Sequence, residues 1–97
     1  MKPMVTTIRN SPESPADSAT LALAALGWVL QDADRAERFL GLTGLDADTL
    51  RAGLGERRVQ ASVLEFLANH EPDLLRCAEA LAVTPEELAA AGKELAA

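Results

Sequence analysis

Apolar residues recur at helical spacing along most of the 97-residue chain, and one stretch has almost no polar side at all. Residues 19 to 30 read ATLALAALGWVL, with Thr20 the sole polar side chain. A helix that is apolar all round belongs in the middle of a fold. Ser14 can cap it, Pro15 suits its first helical position, and Asp17 follows Ser14 at capping-box spacing, so a first helix is predicted over about 15 to 31. Asp32 or Ala33 opens a short second helix through Glu37, Phe39 and Leu40, closed by Gly44. Asp46 caps a third, DADTLRAGL, ended by Gly53 and Gly55. In RRVQASVLEFLAN, residues Val59, Val63, Phe66 and Leu67 form one stripe, which marks a fourth helix. Glu71-Pro72 starts a fifth through Leu74, Leu75, Ala78 and Leu81. The capping box Thr84-Pro85-Glu86-Glu87 starts a sixth at 85. No segment alternates as a strand would. Residues 1–14 have no period and read as a disordered leader, which leaves 15–97 as a single helical domain.

The expected architecture is therefore all-α, a compact bundle of five or six short helices with the first as its hub. Ala19, Ala22, Ala24 and Ala25 would let neighbours approach that hub closely, and Trp28, Phe39, Leu40, Phe66 and Leu67 would form the heart of the core. Small domains leave much surface uncovered, so Leu21, Leu23 and Leu30 are expected to be the exposed fraction of the hub helix.

Displaced by 38 residues, the sequence matches itself. LAALGWVL at 23–30 falls on ASVLEFLA at 61–68, Arg38 falls on Arg76, and residues 44–50 fall on 82–88. Identities number four between 21 and 54, so the likeness lies in pattern. It suggests an internal three-helix duplication, about 21–54 and 59–92.

Composition agrees with the helices: 19 residues are Ala and 16 are Leu, against five Val, one Ile and no Tyr. The twelve-residue apolar run is too short for a membrane span, which needs ~20 residues, and it begins too late for a signal peptide. A net charge of −6 counts against phosphate backbones and anionic lipid as partners. The single cysteine, Cys77, can form no internal disulfide, and a reducing cytoplasm suits it.

No motif carries recognisable chemistry. The two DAD triplets lack calcium-loop spacing, because from Asp46 the fifth, sixth and twelfth places hold Leu50, Arg51 and Arg57, so both read as helix caps. His70, beside Glu71 and Asp73, is one histidine without a ligand cluster and reads as a helix-junction residue. Cys77 reads as a small core residue. No metal, cofactor or catalytic residue is expected. LLRCAEALAVTPEELAAA has the helix-turn-helix plan, but its second helix offers Glu86, Glu87, Lys93 and Glu94 and none of the Arg, Asn or Gln that read bases. Arg51, Arg57 and Arg58 are the densest basic group in the sequence. A solvated surface turn is the plainer reading, and a contact for an acidic partner is the other.

The segments RFLGLTGLD at 38–46 and VLEFLANHE at 63–71 are the most specific part of a resemblance that spans roughly 20–90. The chain resembles a small alphaproteobacterial family known as domain of unknown function 3572. The resemblance implies a short cytosolic helical protein with no assigned activity, cofactor or catalytic residue. It also implies signalling partners, through gene neighbours that include cell-cycle response regulators. Members often carry Phe or Leu two residues after the basic mid-chain segment, whereas Arg57-Arg58-Val59-Gln60 is more polar here. Two functional readings follow. The first is a non-enzymatic protein–protein interaction or adaptor module that takes a protein partner or a second copy of itself. The second is a degenerate helix-turn-helix that binds DNA or a DNA-associated protein.

Overall fold

Side-chain oxygens start four of the helices. In the computed structural model, which describes residues 17–97, Asp17, Asp32, Asp46 and Thr84 each accept the backbone N–H three residues on. Each such cap is worth about 1 kcal/mol. The described residues form six helices and no strand: α1 (Ser18–Leu30), α2 (Ala33–Thr43), α3 (Ala47–Ala52), α4 (Arg57–Ala68), α5 (Glu71–Leu81) and α6 (Pro85–Ala96). No described helix is long and apolar enough to cross a membrane. The first helix starts later than its sequence suggests, because Asp17 takes the capping role and has extended backbone angles. Residues 1–14, with Ser14, and Pro15 lie outside the described residues.

The 38-residue period recurs in the helix boundaries. α1 and α4 end at Leu30 and Ala68, α2 and α5 run 33–43 and 71–81, and α3 and α6 begin at Ala47 and Pro85. Both middle helices end on a left-handed residue, Gly44 at φ 75° and Ala82 at φ 60°. Burial repeats as well. Leu21, Ala22, Ala25, Leu26 and Val29 are buried on α1, and their counterparts Val59, Gln60, Val63, Leu64 and Leu67 are buried on α4. α1 rests on α2 and α5, as α4 does. The hub is thus shared between two helices.

The period fails at the third helix of each half. α6 runs 12 residues and lies across both α1 and α4, whereas α3 stops after 6. Gly92 makes that crossing close, since a Cβ there would lie 3.1 Å from Leu64 Cβ. Its counterpart in the first half is Leu54, beyond the end of α3. Phe39, Phe66 and Leu67 are core residues as expected, the two rings edge to face at 5.3 Å. Trp28 and Leu40 are only half-buried. Trp28 stays at the border because its outer face carries the Arg35 guanidinium, 3.5 Å from the ring centroid.

Two substitutions test this packing by urea unfolding. Gly92→Val should destabilise by ~1–3 kcal/mol through overpacking against Leu64. Ala82→Gly should stabilise by ~0.5–1 kcal/mol by relieving the left-handed backbone.

Candidate functional site

The densest polar cluster joins α2 to α5. Asp73, in the first turn of α5, has a side chain 6% exposed; it accepts a hydrogen bond from the Arg38 guanidinium of α2, and His70 Nδ1 lies 3.2 Å from the same carboxylate. The helix N-terminus favours a carboxylate there. Arg38 also lies over the Phe66 ring, 5.7 Å from its centroid. Arg38, Leu42, Glu65, Phe66, Asn69 and His70 border a cleft of ≈ 340 Å³. Thr43 also lines it, but its hydroxyl is committed to the backbone, donating to the Phe39 carbonyl at 2.8 Å and accepting from the Leu45 N–H at 3.3 Å. The cleft thus presents a positioned imidazole without an activated nucleophile beside it. Its clearest physical effect is to tie two helices together. His70 stands at a helix junction, as its sequence context suggested. The Arg38–Asp73 pair, 35 residues apart, has no local signal in the sequence.

Cys77 lies behind this cluster and is fully buried. Desolvation pushes its thiol up from 9.0 to about 11, Arg35 opposes that shift and Asp73 adds to it. Among the described residues no group of three or more His, Cys, Asp and Glu side chains could hold a metal ion.

The apolar candidates lie elsewhere. Leu23 and Leu30 are 41% and 45% exposed, on one face of α1 with Ala24 and Gly27. Leu21 is a correction: expected to be exposed, it is 8% exposed and packs in the core. An all-apolar helix has no polar side to show which face turns inward, and Leu21 lies one turn before Ala25 on the face that does. Beside Leu30 runs an apolar groove of ≈ 250 Å³, lined by Leu26, Leu40, Ala47, Leu50 and Leu54, with Arg51 as its one charged border.

The three arginines are distributed. Arg51 pairs with Asp48 at 3.1 Å, both side chains largely exposed, and borders the apolar groove. Arg57 donates to the Glu94 carbonyl at 2.6 Å, in the last turn of α6, where the helix dipole favours a cation. Arg58 joins Arg57 along a different depression, beside Ala61 and Leu95.

A family model described as Protein of unknown function (DUF3572) matches residues 15–97. The chain belongs to that family. No curated protein and no solved structure matches this DUF3572 chain. The match takes in all six helices, including α6, the last part of which lies past the segment that carried the sequence resemblance.

The 38-residue match sets positions of the two halves of this DUF3572 chain side by side. The α4 counterparts of Leu23, Ala24, Gly27 and Leu30 are Ala61, Ser62, Glu65 and Ala68. The same helix position in the second half therefore holds small or polar side chains. Leu23 and Leu30 are larger than their counterparts, and together with the groove they make one apolar surface, apart from the exposed Leu42 and Leu75.

Two further measurements follow. Asp73→Ala should lower stability by ~1–3 kcal/mol, held to that range because Arg38 is 42% exposed, and Arg38→Ala should lower it less. Cys77 contributes stability that is fully present below pH 9.0 and lost as pH rises to about 11, since the unfolded chain gives up the thiol proton first. Urea midpoints of wild type and Cys77→Ala should therefore differ by a pH-dependent amount only in that interval.

Proposed function

We propose that this protein is a non-enzymatic protein-interaction module whose docking surface is the outer face of α1 with the adjoining groove. It works in the alphaproteobacterial cytoplasm, among the signalling proteins that the family resemblance implies. One observation carries the proposal: Leu23 and Leu30 are exposed at positions whose counterparts on α4 are alanines. The groove bordered by Leu30 and Arg51 extends that surface toward α3. Exposed leucines beside an apolar groove fit burial of a partner's apolar side chains, the central patch of a typical protein interface. A DNA-reading role has less support. α6 turns Leu88, Ala91 and Leu95 into the core, and its exposed side carries Glu86, Glu87 and Glu94 against Lys93 alone.

A tagged pull-down from nuclease-treated native lysate at two salt concentrations tests this reading. One protein should be recovered stoichiometrically at both salts, lost with Leu23→Asp and Leu30→Asp, and kept with Leu42→Asp. Both α1 variants should stay folded, each losing ~1–2 kcal/mol for the half-buried leucine and the lower helix propensity of Asp. Recovery of nucleoid proteins that disappears with salt would transfer the case to DNA association.

A further inference from the structure

We infer that the partner seated on the α1 face is a second copy of the chain, held by antiparallel pairing of the two α1 helices. In this pairing Leu23 of each copy enters the apolar groove beside Leu30 of the other. The inference rests on the interaction reading above and adds the occupant and its orientation.

Shape is the first argument. Leu23 and Leu30 project on either side of Gly27, where an added Cβ would meet nothing within 4 Å. Two knobs flanking a hole form a surface complementary to itself when a twofold axis passes near Gly27. The glycines let the helix backbones close, and Leu23 then falls beside Leu30 of the second copy. There the ≈ 250 Å³ groove lined by Leu26, Leu40, Leu50 and Leu54 has room for a leucine side chain.

Charge is the second. α1 has no ionisable side chain among its 13 residues, and each of the other five helices has at least one. Two chains of net charge −6 repel each other as wholes, so they meet with least opposition on a face that apposes no carboxylates. Antiparallel pairing also sets the positive, N-terminal dipole end of one α1 beside the negative, C-terminal end of the other.

Sedimentation equilibrium of the whole chain over a concentration series tests the pairing. Wild type should pass from one chain mass to two as concentration rises. Gly27→Leu is the decisive variant, because open space around residue 27 lets the monomer keep its fold. Loss of a helix-interior glycine should raise its Tm, while the filled hole should weaken dimerisation about tenfold or more. Leu23→Asp should weaken it similarly, and Leu42→Asp, at a leucine 74% exposed on α2, should leave it unchanged. A wild type that stays monomeric throughout, or a dimer that neither α1 variant weakens, would overturn the inference. A monomeric wild type that still captures a different protein through Leu23 and Leu30 would remove the self-pairing alone and leave the interaction reading standing.

Discussion

Close approach of helices across small residues is the constraint on which this fold depends. The chain has three aromatic side chains, two Phe and one Trp, so large rings cannot fill the space between six helices. The helices must instead come near enough for alanine to touch its neighbours. Ala22 and Ala25 on α1 are fully buried, Ala78 on α5 and Ala91 on α6 nearly so, and Gly92 lets α6 cross Leu64 almost backbone to side chain. Interiors built this way reach native density without bulk, but they tolerate added atoms poorly. A helix shared among several such contacts must be apolar over most of its circumference. That requirement accounts for most of ATLALAALGWVL, although not for leucine at 23 or at 30.

Polar contacts complete the bundle around that seam, and the two halves use related devices. In the first half Arg35 lies over Trp28 and donates to its carbonyl. In the second, Arg38 lies over Phe66, the counterpart of Trp28, and pairs with Asp73, the counterpart of Arg35. A guanidinium lies over an aromatic ring in both halves, the half-buried Trp28 in one and the buried Phe66 in the other, supplied by α2 each time. Such stacking desolvates the stem and ring while part of the charge stays in water. The buried carboxylate of Asp73 is tolerable for the same reason: it sits at a helix N-terminus with a cation and an imidazole as partners.

Helix starts and stops were legible in the sequence because caps are local. Asp32, Asp46, Thr84 and Gly44 each act within a few residues of themselves, and the structure uses all four in those roles. Asp17 was legible as an acidic residue of the first turn, and the structure makes it the cap itself. The 38-residue period was legible as pattern, since burial dictates which positions are apolar whatever the identities. Three features were hidden. The inward face of α1 carries no signal when every face is apolar, so Leu21 could not be told from Leu23. The Arg38–Asp73 pair joins residues far apart in the chain. Arg51 borders the groove beside Leu30, whereas Arg57 and Arg58 border a depression beside Leu95, and those neighbours are far from the arginines in the chain.

Where the halves differ, the difference concentrates at the third helix. α6 continues for 12 residues and closes the seam over α4, with Leu88, Ala91 and Leu95 turned inward. α3 has room for 6 before the chain turns at Gly53, so Leu50 is its one buried anchor and the seam toward α1 stays open as the groove. An open seam exposes apolar area, and stability alone would favour closing it, as α6 does in the second half. The first half instead adds leucine at its edge. The shortened helix and the surplus leucines make sense together as a single surface: one leaves the space and the other supplies the side chains that border it.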